Sequence, residues 1–304
     1  MSERISEVTG HPVTHGHSMN RVTIVQLTDT HLRPAGERVH GKIDTYQNLT
    51  YVLEQLRTSQ QRIDALVLSG DLTDNGSPEA YRRLRDAVEP VAAELGAQTV
   101  YVMGNHDDRA AFGTELLDTY CATSDPDFTH DQVTDVAGLR VIALDSTTPR
   151  RHDGRLEPEQ LDWLAEQLRQ PARHGTLLVL HHPPIPSPIA ATEYLRLEKP
   201  ELLDEVLAGS DVRLIICGHN HLTGAAALGG IPVWIGPALS YRIDPIAPIG
   251  RHRGLLGFGY SRIDLLGSTL VATAIEATPA ETLYDRTEQD VLEQLAALAA
   301  AEAG

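Results

Sequence analysis

Cysteine is nearly absent from this 304-residue chain: Cys121 and Cys217 are the only two, too few for a disulfide framework, so a reducing compartment suits it. Long apolar runs are missing as well. The longest, such as Thr176 to Leu180 and Leu214 to Cys217, fall far short of the roughly 18 residues that span a bilayer, which excludes a transmembrane helix. The first twenty residues carry Glu3, Arg4, Glu7 and three histidines and lack an apolar signal-peptide core, so a cytoplasmic location is expected. Positive charge is scarce: Lys and Arg number 25 against 42 Asp and Glu, leaving a formal charge of −17. A field of that sign repels DNA, RNA and anionic lipid headgroups, while a small phosphorylated substrate stays compatible with it. Aromatics make up 5% of residues, so base-stacking platforms are few, and of the two candidates, His40 and Tyr194, packing is the simpler role for Tyr194. What the chain does contain, 41% hydrophobic and 22% charged residues, is the composition of a globular protein with a sizeable core.

Apolar, β-branched runs recur at Arg21 to Leu27, Asp64 to Ser69, Thr99 to Met103, Leu139 to Leu144, Thr176 to Leu180, Arg213 to Cys217 and Ile231 to Ile235. Most end in polar or glycine-containing turns and are predicted to be buried strands. Between them, apolar residues at three and four spacing predict helices over Tyr46 to Ser59, Pro78 to Leu95, Pro158 to Gln170 and Lys199 to Ala208, with Ser77 as an N-cap. Beyond Ile235, strands Gly259 to Leu265 and Leu270 to Ile275 follow one another without helices, as the far side of a two-sheet sandwich requires. The expectation is one α/β catalytic domain over residues 21–277, preceded by a flexible tail, residues 1–20, to which His11, His15 and His17 lend no function. Residues 278–304 form a C-terminal extension whose Ala- and Leu-rich helix sets Val291, Leu292, Leu295 and Leu298 on one face and should dock on this chain or a partner.

Five polar clusters stand at the carboxyl ends of predicted strands: Asp29-Thr30-His31, Gly70-Asp71, Gly104-Asn105-His106-Asp107, His181-His182 and Gly218-His219-Asn220-His221. In open α/β sheets ligands bind outside those ends, so distant loops converge on one crevice. Taken singly, Asp-x-His or Gly-Asp is ordinary turn chemistry. Five such clusters in this order are not explained as turns alone. The ligand candidates are His31, His181, His219 and His221, the carboxylates of Asp29 and Asp71, and the amide oxygen of Asn105. If strand geometry persists past Leu27 and Cys217, the residues two apart in Asp29/His31 and His219/His221 share a side. Mixed N and O ligands suit Mn, Fe, Zn, Co or Ni better than calcium. Seven ligands exceed the needs of one ion and fit two, about 3.5–4 Å apart and sharing a carboxylate, an arrangement suited to in-line attack on phosphorus.

These blocks resemble the calcineurin-like metallophosphoesterase superfamily. Gln26 to Leu32, Leu68 to Asp74, His181 to Ile185 and Cys217 to Leu222 resemble more narrowly the class III cyclic-nucleotide phosphodiesterases of the mycobacterial type. The resemblance implies a four-layer α/β/β/α sandwich of two mixed β-sheets flanked by helices. It implies that Asp29, His31, Asp71 and His221 hold one metal and Asp71, Asn105, His181 and His219 the other, with Fe and Mn as the first choice and Zn, Co or Ni as alternatives. His106 and Asn105 would meet the substrate, His106 stabilising or protonating the leaving oxygen. Of the adjacent pair His181 and His182, only the first is assigned to metal. Asp74, Asn75 and Asp107 are expected to orient ligating imidazoles, and Cys217 to be a small core residue.

The implied activity is dinuclear, metal-dependent hydrolysis of 3',5'-cyclic AMP and cyclic GMP, with 2',3'-cyclic nucleotides as further candidates, by metal-hydroxide attack on phosphorus. Broad-specificity hydrolysis of glycerophosphodiesters or other small phosphoesters is the alternative. The partner is then a small phosphodiester, not a nucleic-acid polymer or a membrane, and the resemblance is compatible with a homodimer. The organic half of the substrate falls to the loops Arg33 to Asp44 and Pro183 to Leu197.

Overall fold

The computed structural model describes residues 21–117 and 129–302, so the 1–20 tail and Cys121 lie outside the described residues. In chain order the first elements are β1 (Arg21–Leu27), α1 (Thr45–Thr58), β2 (Ala65–Ser69), α2 (Pro78–Leu95), β3 (Gln98–Val102), α3 (Arg109–Leu116), β4 (Gln132–Val136), β5 (Leu139–Leu144) and α4 (Pro158–Leu168). There follow β6 (Thr176–Leu180), α5 (Ala190–Glu193), α6 (Pro200–Leu207), β7 (Val212–Cys217), β8 (Gly224–Leu228), β9 (Ile231–Ile235), β10 (Arg242–Ile243), β11 (Gly254–Leu255), β12 (Gly259–Leu266), β13 (Thr269–Glu276) and α7 (Glu288–Glu302).

Two mixed sheets carry the architecture. One is ordered β13-β12-β1-β2-β3 and the other β4-β5-β6-β7-β9-β8. Strands β1 to β3 run parallel, as do β5, β6, β7 and β9, while β12, β13, β4 and β8 add antiparallel edges. The alternation of side chains along each strand divides the core into three layers. Ile24, Val67 and Val100 meet Val141, Val179 and Ile216 between the sheets. Leu66 and Leu68, of opposite parity, pack under Leu49 and Val52 of α1 and Leu84 and Val88 of α2. On the far side Ile142, Leu178 and Ile215 lie beneath Leu164 of α4 and Leu203 of α6. The order is therefore α/β/β/α, as the resemblance implied, and the central strands β1, β2, β5, β6 and β7 read as near-continuous apolar runs because both of their faces are covered.

Several local expectations change. Ser77 occupies the N-cap of α2, yet its hydroxyl makes no cap bond; Pro78 at the first helical position supplies the start instead. The short strand β8 has no β-branched residue, and in β4 Asp135 separates Val136 from Val133 and Thr134; both strands are held by pairing with β9 and β5. Leu295 and Leu298 of α7 are 55% and 53% exposed, so this face is not docked on the described part of the chain. Tyr194 is 84% exposed and has no packing role, whereas Cys217 is a buried core residue as expected. No helix of the described residues is long and apolar enough to cross a membrane.

Candidate metal centre

Each of the five clusters follows the last residue of a parallel strand, three in one sheet and two in the other. Backbone bonding continues past the strands: the Asp29 and His31 amides donate to the Gly70 and Asp71 carbonyls (3.0 and 2.9 Å), and the Gly218 amide to the His181 carbonyl (3.1 Å). The sheets are joined here by His181, whose Nδ1 donates to the Ser69 carbonyl at 3.0 Å.

Strand geometry does not persist through the clusters. Asp29, His31, Asp71, His219 and His221 all have positive φ, at 53°, 44°, 49°, 71° and 50°. The shared side of Asp29/His31 and of His219/His221 therefore comes from left-handed turns, not from strand alternation. Each such conformation costs a non-glycine residue about 1–3 kcal/mol and persists where the surroundings impose it. Close approach sets the glycines here: a Cβ on Gly104 would collide with the Asp71 amide and carboxylate, and one on Gly218 with Thr28 Oγ1 and Asp29.

In the first half of the site, His31 Nδ1 bonds Asp74 Oδ1 (3.0 Å) and His221 Nδ1 bonds the Tyr241 carbonyl (2.8 Å). Both partners only accept, so both Nδ1 atoms carry hydrogen and both Nε2 atoms are left to face each other, 3.1 Å apart. Asp29 Oδ1 lies 3.5 Å from His221 Nε2, and Asp71 Oδ2 lies 3.5 Å from His31 Nε2. Two ring lone pairs at that separation repel one another unless a cation or proton lies against them. In the second half His181 Nε2 is 3.2 Å from His219 Nδ1 and 3.3 Å from Asp71 Oδ2. Among the described residues, Asn105 Oδ1 and His219 Nε2 are buried polar atoms without a hydrogen-bond partner. Such atoms are costly unless a ligand satisfies them. The donors thus fit metal ions, with Asp71 common to both halves and its Oδ1 fixed by the His106 amide at 2.9 Å.

Electrostatics divide the donors: burial opposes charge on His31, but Asp74 and Asp71 override it and raise that ring. Burial opposes the charge on Asp71, but the imidazoles of His181 and His31 override it and hold the carboxyl well below its usual range. Burial also works against charge on His181, and Asp71 overrides it to raise that ring to about 9. For His219 and His221, burial dominates, helped by His181 and His31 respectively, and lowers both to about 3. These two rings are neutral at pH 7, the form in which imidazole binds a metal.

Ligand-type atoms fall into four groups, each within 4.8 Å: Asp29, His31 and His221; Asp29, Asp71 and His181; His181, His182 and His219; and His31, Asp74 and His106. The expected His and Asp residues are therefore brought together, and Asn105 keeps a buried oxygen without a hydrogen-bond partner. His182 Nδ1 is engaged with Ser146 Oγ at 2.9 Å. His106 is exposed, its ring 4.7 Å from that of His31, with Nδ1 bonded to the Asp74 carbonyl at 2.9 Å. Asp74 orients an imidazole as expected, but Asp107 does not: its carboxylate accepts from the Leu72, Thr73 and Gly104 amides and the Tyr81 hydroxyl, clamping two loops together. Asn75 is exposed and orients no imidazole. Sequence reasoning missed His152, whose Nδ1 takes a bond from Asn105 Nδ2 at 3.2 Å, and Tyr241, whose ring lies 4.3 Å from that of His221. Neither sits in a polar cluster at a strand end, and that was the only signal used.

A metal-dependent phosphoesterase is the class that this fold and donor set define. The sequence model described as Calcineurin-like phosphoesterase matches residues 22–222, and the chain belongs to that family. It is 41% identical over 268 residues, 88% of this chain and 83% of the relative, to a cAMP/cGMP dual specificity phosphodiesterase of Mycobacterium tuberculosis. It is 31% identical over 264 residues, 80% of this chain and 90% of the relative, to a 3',5'-cyclic adenosine monophosphate phosphodiesterase of Pseudomonas aeruginosa. Among solved structures, a dimetal phosphatase from Danio rerio shares the fold, with a TM-score of 0.59 and 16% identity over 84% of this chain and 96% of that one. The chain is a phosphoester hydrolase.

Proposed function

We propose that the protein is a dinuclear cyclic-nucleotide phosphodiesterase acting on 3',5'-cyclic AMP and cyclic GMP. Asp29, His31, Asp71 and His221 hold one ion, and Asp71, Asn105, His181 and His219 the other. The observation that carries this reading is Asp71, one carboxylate oxygen of which lies 3.5 Å from His31 Nε2 and 3.3 Å from His181 Nε2. That oxygen has more than one lone pair and can face two cations, whereas a ring nitrogen has one and serves one, while the other oxygen is held by the His106 amide. A metal pair bound there would supply positive charge for the phosphoryl oxygens and lower the pKa of a bound water. Iron and manganese are the expected occupants, since this mixed N and O set accepts first-row ions.

The chain's own groups do the rest. Asp74 and the Tyr241 carbonyl fix the rings of His31 and His221, and Ser69 fixes that of His181. His152 takes one amide hydrogen of Asn105, which turns the amide oxygen inward. With Nδ1 of His106 held by the Asp74 carbonyl, Nε2 is the atom left to pass a proton to the departing ester oxygen. The relatives named for cyclic-nucleotide hydrolysis support the substrate class.

The test is turnover of cyclic AMP, cyclic GMP, 2',3'-cyclic AMP, bis-p-nitrophenyl phosphate and p-nitrophenyl phosphate by metal-stripped protein, with and without added manganese. Manganese-dependent cleavage of the diesters with little of the monoester is expected. Preference for the monoester would replace this reading with a phosphatase, and inertness toward cyclic AMP and cyclic GMP alongside diester turnover would replace the substrate.

A further inference from the structure

We propose that the cavity beside Tyr241 seats the base of the nucleotide, holding a purine by its faces without reading its edge, so that adenine and guanine are accepted alike. This rests on the cyclic-nucleotide reading above and adds where the organic half of the substrate lies. Three hollows adjoin the site. One, of 530 Å³, reaches Asn105 past Thr147, Thr148 and Arg150, and another, of 360 Å³, lies beyond Asn220 and His221 against Pro186, Pro188 and Ala226. Neither wall supplies an aromatic face apart from His221 itself. The third, of 480 Å³, is lined by the rings of His40, Tyr241 and His252 together with Ile43, Ile243 and Leu255.

That volume lies in the range of small-molecule sites, and the mixture of rings and aliphatic side chains is what a flat, weakly polar heterocycle prefers. Tyr241 ties the cavity to the metal centre. Its ring centroid lies 4.3 Å from that of His221 and 6.4 Å from that of His31, while His40 meets it edge-on at 5.1 Å from the opposite loop. A base entering here leaves its ribose and phosphate beside the candidate ligands His31 and His221. Of the two loops that the sequence offered for substrate selection, residues 33–44 contribute His40, Lys42 and Ile43.

The walls also determine what cannot be distinguished. No Asp, Glu, Asn or Gln lines the cavity, so the side chains that discriminate adenine from guanine through paired donors and acceptors are missing. Lys42 donates only, and both bases offer it an acceptor at N7. His40 and His252 can each present either a donor or an acceptor, according to tautomer. Stacking is indifferent to edge pattern because every base has a π-face.

Equilibrium binding to the manganese-loaded protein tests this, with AMP, GMP and ribose 5-phosphate as probes, because the last shares phosphate and sugar but has no base. In calorimetric titrations AMP and GMP should bind within about threefold of each other and each about tenfold more tightly than ribose 5-phosphate. Leu255→Trp, which fills the cavity, and His40→Gly, which removes the ring at an exposed position whose φ of 51° glycine adopts freely, should each remove most of that advantage while ribose 5-phosphate binds as before. A base advantage that survives Leu255→Trp, or AMP and GMP separated by more than about tenfold, overturns the proposal. Failure of the underlying reading shows separately, as bis-p-nitrophenyl phosphate turnover by the unaltered protein without turnover of either cyclic nucleotide.

Discussion

The two halves of the candidate centre are built from the same parts and wired differently. In the first, His31 and His221 are each pinned through Nδ1 and offer Nε2, with Asp29 as a carboxylate of its own. In the second, His181 offers Nε2 but His219 faces it through Nδ1, and the extra donor is the neutral amide of Asn105. One half therefore brings two carboxylates to its ion, counting the shared Asp71, and the other brings one. At low effective dielectric a full negative charge attracts a cation far more strongly than an amide dipole does. On the proposed assignment, the first half should bind its metal more tightly and accept the more highly charged ion, while the second should load and exchange more easily.

Removing the shared group should erase the difference. Asp71→Ala is expected to lose both ions and lower kcat/KM for bis-p-nitrophenyl phosphate by about a thousandfold or more, with metal content measured alongside. Retention of two ions per chain would end the bridging assignment. Asn105→Ala should separate the halves: metal analysis should find close to one ion instead of two, and turnover should fall by about a hundredfold. Asp74→Ala releases His31, together with Arg33, which pairs with the same carboxylate, and should weaken the first ion by about 10–100-fold, leaving the affinity of the second unchanged. Equal weakening of both would show that the halves do not load independently.

The smallest effect lies away from the metals and contrasts the buried carboxylates of the centre with Asp131. Burial raises Asp131 to about 6, although the Asp145 amide and Gln160 bond to it. A carboxyl raised above its ordinary value keeps its proton longer when folded, so the native state binds more protons than the unfolded chain between about pH 4 and pH 6. Its contribution to stability is fully present below that window, falls as pH rises through it, and is constant above. Asp131→Asn should remove this loss, worth about 1–3 kcal/mol. The variant should gain a few degrees of melting temperature at pH 7.5, about 2–4 °C per kcal/mol, relative to its change at pH 4. Parallel pH profiles for the two proteins would show that Asp131 titrates normally.

Legibility in the sequence followed the reach of the interactions. Strands such as Leu139 to Leu144 and Thr176 to Leu180, and the helix Pro78 to Leu95, stand where the pattern put them because burial on both sheet faces or on one helix stripe leaves a local signature. The edge strand β8 left none, since pairing with a neighbour holds it, and in β4 the polar Gln132 and Asp135 interrupt the β-branched Val133, Thr134 and Val136. The ligand candidates were visible as polar clusters after buried strands, and the family resemblance sorted them into two sets. Tyr241 and His152 were invisible for the opposite reason, being single residues brought in by loops 20 or more positions from the groups they touch, beyond any local period.

By itself, then, the sequence pointed to a two-sheet α/β domain, the candidate donors and metal-assisted chemistry on phosphorus, because buried periodicity and polar clusters at strand ends are local properties of the chain, and the family resemblance added the four-layer order. Only the tertiary structure decided how the donors converge: left-handed turns at Asp29, His31, Asp71, His219 and His221 turned their side chains to one side. It also decided which ring nitrogen each histidine presents, through acceptors such as Asp74, Ser69 and the Tyr241 carbonyl that lie 20 or more residues away. Those outcomes depend on contacts between distant segments, which come into being only when two sheets bring their strand ends to one edge.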